Sequence, residues 1–332
     1  MSSPLSDDFV HASTESVPLS RLDLSERSHC LSFGRDLEPL LRSIQAIGLV
    51  QPPVVCRGKD DLLTVLSGFR RIEALVDLGV EILPCRVLDR SLDPMDRLSL
   101  AFWENLSHRG FNIVEKARAV DAFSLLQGSE KTMENVMPAL GLHPHLRELE
   151  RMKKTAGLPE PVLLALVDGR IFPDPAIYLT EFPESDRMPV FECLTYLNLN
   201  LNQQKEFLEM LRDLCLRDGV SARRVLEDED VRRLLDHPAW SRPQKADRMK
   251  RWLKDQLNPR LKAAETAFDE QLRELRLPGR VRIAHAPFFE AEGLRVTMDA
   301  ANGAELLETV RELNRVFESG GVEKLYDIVD GL

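Results

Sequence analysis

Apolar residues at Leu37, Leu40, Leu41, Ile44 and Ile47 recur at the spacing of one helix face, and Gly48 stands where a left-handed cap would end that helix. Two short β-rich runs follow, Val54 to Cys56 and Leu62 to Ser67, joined by turn-forming residues Gly58 to Asp61, which predicts a hairpin. Gly68 then turns the chain into a helix from Phe69 to about Leu78. A further strand is expected over Ile82 to Leu88 and a helix from Pro94 to about Leu106, closing an α+β unit near Phe111. Beyond it strand signals fade. Helical spacing recurs in Glu115 to Leu126, Thr132 to Leu140, Val162 to Leu166 and through 187–236, where Gly219 ends one helix and Ser221 caps the next. Val281 to Ala286 and Leu294 to Met298 alternate as strands, followed by a helix from Ala304 to about Phe317 and a short one near Tyr326.

The predicted fold is therefore an α+β N-terminal domain, an all-α middle and a small α/β C-terminal module. Charge refines the boundaries. The first 20 residues contain no Lys or Arg and are rich in Ser and Asp, a composition that cannot bury enough surface to order itself. Trp240 to Arg280 carries eleven Lys or Arg against six Asp or Glu, whereas the segment after it carries five against ten. The expected divisions are a flexible tail 1–16, domains 17–112 and 113–236, a basic helical linker 237–278 and the C-terminal module 279–332.

With 332 residues and a formal charge of −10, the chain is long enough for several cores and too acidic to be coated in nucleic acid, so any DNA contact must be local. No stretch approaches the roughly 20 apolar residues that span a bilayer, and the start lacks a signal-peptide pattern, so a cytoplasmic protein without membrane contact is expected. Five separated cysteines without a CxxC pair argue against a disulfide framework or a zinc ribbon. His29, His237 and His285 lack ligand-spaced neighbours, and His143 with His145 lacks a third ligand, so no protein metal site is predicted.

Two segments carry candidate chemistry. In Ser67-Gly68-Phe69-Arg70-Arg71 a strand passes through Gly into a helix with two arginines in its first turn, a plausible seat for a polyphosphate. Taken alone, it reads more readily as a solvated helix start with surface arginines. Trp103-Glu104-Asn105-Leu106-Ser107-His108-Arg109 ends the next long helix; Glu104 offers a carboxylate for magnesium or a water, and Asn105 an amide for phosphate or ribose. By composition alone this is also an ordinary polar helix end.

The order of Gly48-Leu49-Val50-Gln51-Pro52, the Ser67 to Arg71 stretch, Glu104-Asn105 and the helix Glu115 to Val120 resembles the N-terminal domain of the ParB partition-protein family, over roughly residues 17–120. The family's corresponding segments are a GLxQP turn, a GERR box and an ENxxR box, which bind a cytidine nucleotide that closes a DNA clamp. The resemblance implies a ParB/sulfiredoxin-like fold and a site for CTP, or another nucleoside triphosphate, with Mg2+. Gly68, Arg70 and Arg71 would contact phosphates, Glu104 and Asn105 would complete the site with Arg109 beside them, and Gly48 and Gln51 would lie near base or ribose. Glu104 is the catalytic candidate for a weak CTPase.

Two positions depart from the pattern. Phe69 replaces the usual Glu of the first box, and His108 stands where the second has Arg, with Arg109 adjacent. Loss of the acidic group is expected to damage hydrolysis more than binding.

The middle segment resembles the family's helix-turn-helix. Thr132 would cap a helix to Leu140, Gly141 would lie in the turn, and a second helix would run from about Pro144 to Ala156. DNA-contact candidates are His143, His145, Arg147, Arg151, Lys153 and Lys154. Glu148 and Glu150 would oppose a polyanion if they share the exposed face, and Pro138 should kink the first helix at a cost of about 3 kcal/mol. A helical hairpin without DNA contacts is the alternative.

In the run Lys245 to Lys254, Trp252 lies among cations that could follow phosphates or stack on a base; the same run suits a solvated linker helix. The C-terminal module resembles in outline the family's dimerisation domain, with Leu306, Leu307, Val310, Leu313 and Val316 forming either a core or a two-fold homodimer interface.

The expected function is nucleotide-gated DNA binding in chromosome or plasmid segregation or DNA-bound regulation, with nucleoid association. The family presents a basic N-terminal peptide to a ParA-type ATPase, and the absence of Lys and Arg before Arg21 speaks against that partner. One rival is a phosphoryl-transfer or nuclease enzyme on the same fold, which requires carboxylates such as Glu73 and Asp96 near Glu104. The other is a scaffold whose nucleotide and DNA sites have decayed.

Overall fold

The computed structural model describes residues 12–58, 62–89, 92–286, 293–318 and 320–330. The chain forms two compact units, Met1–Glu181 and Phe182–Leu332, so the division falls inside the stretch 113–236 expected as one helical domain.

The first unit is built on β1 (Ser13–Pro18), β2 (Leu22–Asp23), helix α1 (Glu38–Ile47), β3 (Val54–Arg57), β4 (Leu63–Ser67), α2 (Phe69–Asp77), β5 (Ile82–Leu88) and α3 (Pro94–His108). The strands form one mixed sheet in the order β1-β5-β3-β4-β2. The expected hairpin is β3 against β4, closed by the Gly58 N–H donating to the Leu62 carbonyl at 2.9 Å; residues 59–61 of its turn lie outside the described residues. Strand β4 is buried along its whole length. Leu63 and Val65 pack with Ile72 and Leu75 of α2, while Leu66 packs with Val54, Cys56, Leu88 and Leu100 of α3. Helices thus cover both faces of the sheet, and near-continuous apolar sequence in β4 follows.

Strand β1 corrects the expected tail. Ser13 to Pro18 pairs antiparallel with β5, from Ser13 opposite Val87 to Pro18 opposite Ile82, so the last four residues of 1–16 belong to the sheet. Within β1 only Val17 is buried, which leaves no alternation to read in the sequence. Residues 1–11 lie outside the described residues.

Helices α4 (Ile113–Gln127), α5 (Ser129–Ala139), α6 (Leu146–Ala156), α7 (Glu160–Val167) and α8 (Pro173–Tyr178) complete the unit. The core does not break at the expected boundary 112/113. Phe102 of α3 packs edge-on to Phe123 of α4 at 5.2 Å and stacks on Phe111 at 5.7 Å, and Val136, Met137, Leu149 and Met152 extend the same cluster. Thr132 is not the cap of α5: the helix starts at Ser129, and the Thr132 hydroxyl, buried, donates to the Gly128 carbonyl at 2.9 Å. Pro138 sits in the last turn, and the helix ends one residue after it, at Ala139. Helix α6 begins at Leu146 rather than Pro144, because the His145 Nδ1 accepts the Glu148 N–H at 3.1 Å and caps it.

The second unit holds α9 (Glu184–Leu197), α10 (Leu201–Asp218), α11 (Ala222–Leu226), α12 (Glu229–Asp236), α13 (Arg242–Leu257), α14 (Pro259–Glu274), β6 (Val281–His285), β7 (Leu294–Met298), α15 (Gly303–Glu318) and α16 (Glu323–Asp330). Gly219 and Ser221 end α10 and cap α11 as predicted. The expected linker is instead core: Ala246, Met249 and Leu253 of α13 are buried, and Lys245 donates to the Tyr196 hydroxyl at 2.7 Å and to the Leu235 carbonyl. The C-terminal module reaches back to Phe268 and Leu275, which pack with Val281, Ile283, Leu313, Leu325 and Val329. The predicted stripe on α15 splits. Leu313 is buried, while Leu306, Leu307 and Val310 are exposed.

One buried carboxylate ties the start of α4 to the segment before α1. Glu115 has no exposed surface, and it receives Arg35 Nε at 2.9 Å and Nη2 at 2.7 Å, Arg109 Nη1 at 2.7 Å and the Asn112 N–H at 3.0 Å. Burial alone would raise its pKa, but the hydrogen bonds from Arg35 and Arg109 outweigh it and hold the carboxyl below its ordinary 4.5. A depressed folded pKa means that the stability it supplies is complete above the unfolded value and is lost as pH falls through the folded one. Glu115→Gln should cost about 3–5 kcal/mol in urea unfolding at pH 7. The wild type should lose stability on acidification from pH 5.5 to 3.5 more steeply than the variant, and parallel curves would contradict this role.

Candidate functional site

Strand β4 delivers the chain to the site and Gly68 turns it. Its φ of +95° lies in the left-handed region, and an added Cβ would stand 3.0 Å from Pro53 Cα, so a side chain here would strain both backbone and neighbour. The turn points the first residues of α2 at the last two turns of α3. A pocket of about 260 Å3 lies between them, lined by Gln51, Ser67, Gly68, Arg70, Arg71, Glu104, Asn105, His108 and Arg109. Of the residues predicted for the nucleotide, only Gly48 is missing from the lining; it ends α1 with φ +76°.

The pocket cations differ in their commitments. Arg71 is held by Glu104 Oε1 at 2.8 Å and by the Gln51 carbonyl at 3.1 Å. Arg109 donates from Nε to Asn105 Oδ1 at 3.1 Å, from Nη1 to Glu115 and from Nη2 to Ser32 Oγ at 2.9 Å. Arg70 makes one hydrogen bond, to the Asp36 carbonyl at 2.6 Å, and its Nε is buried without a partner. Burial, then the nearby charges of Arg109 and Arg35, lower the Arg70 pKa. Its guanidinium is the pocket group with most to gain from an anion. Glu104 is the sole acidic residue lining the pocket among the described residues.

Four residues that sequence reasoning passed over build this site. Arg35 and Glu115 fix Arg109, and Ser32 takes its remaining fork. The spacing Asn112-x-x-Glu115 marks a capping box and was the one available signal for Glu115. His29 lines the pocket floor: it is buried, its Nε2 lies 2.5 Å from the Val65 carbonyl, and burial lowers its pKa. Nε2 therefore carries the proton, and the partnerless Nδ1 is left as an acceptor.

Phe69, the substituted position, is buried in the core and shows the pocket only an apolar ring, with the Arg27 guanidinium 5.1 Å from that ring. Neither carboxylate required by the enzyme alternative lines the pocket. Glu73 is bound to Arg27 at 2.7 Å, and Asp96 lies in the first turn of α3.

On α6, Leu149, Met152 and Thr155 face the core. His143, His145, Arg147 and Lys154 are exposed, whereas Arg151 is gripped by Glu148 at 2.7 Å and Lys153 lies 3.7 Å from Glu150. Of the two carboxylates, Glu148 is turned onto Arg151 and Glu150 shares the exposed face. No described helix is long and apolar enough to cross a membrane.

Residues 6–106 match the family profile described as the ParB N-terminal domain. The chain is 34% identical over 167 residues to the probable chromosome 1-partitioning protein ParB of Deinococcus radiodurans, across 50% of this chain and 55% of that one. It is 26% identical over 169 residues to the nucleoid occlusion protein of Listeria monocytogenes, across 50% and 57%. The match spans about half the length of these curated relatives. Among solved structures, the C-terminally truncated ParB of Caulobacter crescentus complexed with CTP-gamma-S is 25% identical, covering 51% of this chain and 92% of that one at a TM-score of 0.26. The family profile ends two residues past Glu104, so the segment of this chain that is similar to the ParB N-terminal domain takes in the Gly68 to Arg71 turn and the acid and amide facing it.

Proposed function

We propose that this protein acts on DNA as a partition or nucleoid-occlusion factor whose N-terminal domain binds a nucleoside triphosphate, CTP with Mg2+ in the first place. The observation that carries the reading is the convergence of Arg70, Arg71, Glu104, Asn105 and Arg109 on one pocket, with Arg70 underpaired inside it. Several cations with few acids fit a polyphosphate. Arg70 and Arg71, at the N-terminus of α2, would hold phosphates, with the helix end adding its free N–H groups. Asn105 and His29 Nδ1 would meet ribose or base. A bound metal ion would shield the phosphate charge, and Glu104, released from Arg71, is the carboxylate available to it. With Phe69 in the core, no second acid stands at the first box, which favours binding with slow turnover.

The exposed cations Arg147 and Lys154, with His143 and His145 at the start of α6, support DNA contact by the helix pair α5 and α6, in the manner of a helix-turn-helix. The exposed Leu306, Leu307 and Val310 support a homodimer through the C-terminal module.

Titration with CTP, ATP, GTP and UTP, with and without DNA, tests the first part. CTP should bind with release of phosphate near background, and Arg70→Ala should weaken binding about 10- to 100-fold, the cost of a charge-assisted hydrogen bond. No binding of any nucleotide defeats the reading. For DNA, the double variant Arg147→Ala/Lys154→Ala should flatten the log–log salt dependence by about 1.8, at about 0.9 per phosphate contact. An unchanged slope places the contacts elsewhere. By light scattering, Leu307→Asp in the full chain should convert a dimer into a monomer.

A further inference from the structure

The basic run that reads as a linker builds a cleft of its own in the second unit. Arg248, Arg251, Trp252 and Asp255 recur at i, i+3, i+4 and i+7 along α13, so they share a helix face beside the buried row of Ala246, Met249 and Leu253. That face lines a pocket of about 300 Å3 completed by α12 and the segment carrying His237 and Trp240.

Its charges do not cancel. Asp255 is bound to Lys262 at 3.2 Å and Asp230 lies 3.8 Å from Arg233, so both wall acids already face cations outside the α13 pair. Arg248 lies over the Trp240 ring at 3.9 Å and has no ion pair among the described residues; Arg251 is exposed with no partner there at all. The His237 ring stacks on Trp240 at 3.8 Å, and its Nδ1 is buried with no hydrogen-bond partner. Trp240 is thus occupied, while half-buried Trp252 has neither ring nor cation stacked on it among the described residues.

We infer that this cleft binds an unpaired nucleotide unit, the base stacked on Trp252 and the phosphate held by Arg248 and Arg251. Guanidinium forks match phosphate oxygens in pairs, and a free indole face accepts any base. A duplex offers phosphates but no open base, so a single strand or a free nucleotide is the source. The assignment is independent of the Arg70 pocket.

The test uses the full chain carrying Trp103→Phe, so that emission comes from Trp240 and Trp252, titrated with a thymidylate dodecamer, with dTMP, with a twelve-base-pair duplex and with polyglutamate. The dodecamer should quench emission, and Trp252→Phe should abolish the quenching. Arg251→Ala should weaken binding at least tenfold with an unchanged melting curve, and adding Arg248→Ala should bring the total fall in the salt slope to about 0.7, the contribution of one single-strand phosphate. Quenching by dTMP at comparable concentration identifies a free-nucleotide site, and quenching by the dodecamer alone a strand site. Quenching that survives Trp252→Phe, affinity unchanged in Arg251→Ala, or an equal response to duplex or polyglutamate overturns the assignment.

Discussion

The first unit depends on a carboxylate that is fully buried and fully paired. Glu115 sits at the N-terminus of α4, where helix N–H groups favour an anion, and draws in Arg35 from one side and Arg109 from the other. Removing two charges from water is expensive, and only the near-complete set of donors around Glu115 offsets that cost. The geometry has a functional corollary, because Arg109 also lines the pocket that holds Arg70 and Arg71. The residue that positions one wall of the pocket is therefore the same one that locks α4 onto the sheet domain.

The pocket is an arrangement of cations at different stages of satisfaction. Arg71 and Arg109 are held by Glu104 and Glu115, and Arg70 retains a buried, unpartnered Nε beside them. Their common origin is the left-handed turn at Gly68, which brings the strand end against Pro53 and aims α2 at α3. A local sequence feature of three residues thereby sets the position of groups that lie more than thirty residues apart.

Local signals were legible and distant pairings were not. Strand β5 spans Ile82 to Leu88 as read, and the caps at Gly219 and Ser221 stand where expected, because each rests on neighbouring residues. The convergence of Arg71 and Glu104 was legible through the family resemblance rather than through periodicity. Strand β1 was missed since its order comes from β5, almost seventy residues away, and not from its own composition. The run from Lys245 suggests a solvated face because charge is the sequence's proxy for exposure, yet Lys245 is buried, its ammonium donating to the Tyr196 hydroxyl and the Leu235 carbonyl. The spacing of the α15 stripe suits a core or an interface alike, and only the packing of Phe268, Val281 and Leu325 shows that Leu313 is inside while Leu307 is not.

The internal pairing of Arg71 with Glu104 sets a threshold for whatever enters. A lone inorganic phosphate can meet Arg70 and leave that contact closed, whereas a chain of three phosphates reaches Arg70 and Arg71 together and repays the exchange. Under the proposed reading, the partly paired pocket discriminates by ligand length, holding a single small anion through one guanidinium and a molecule that carries several charges in a row through two.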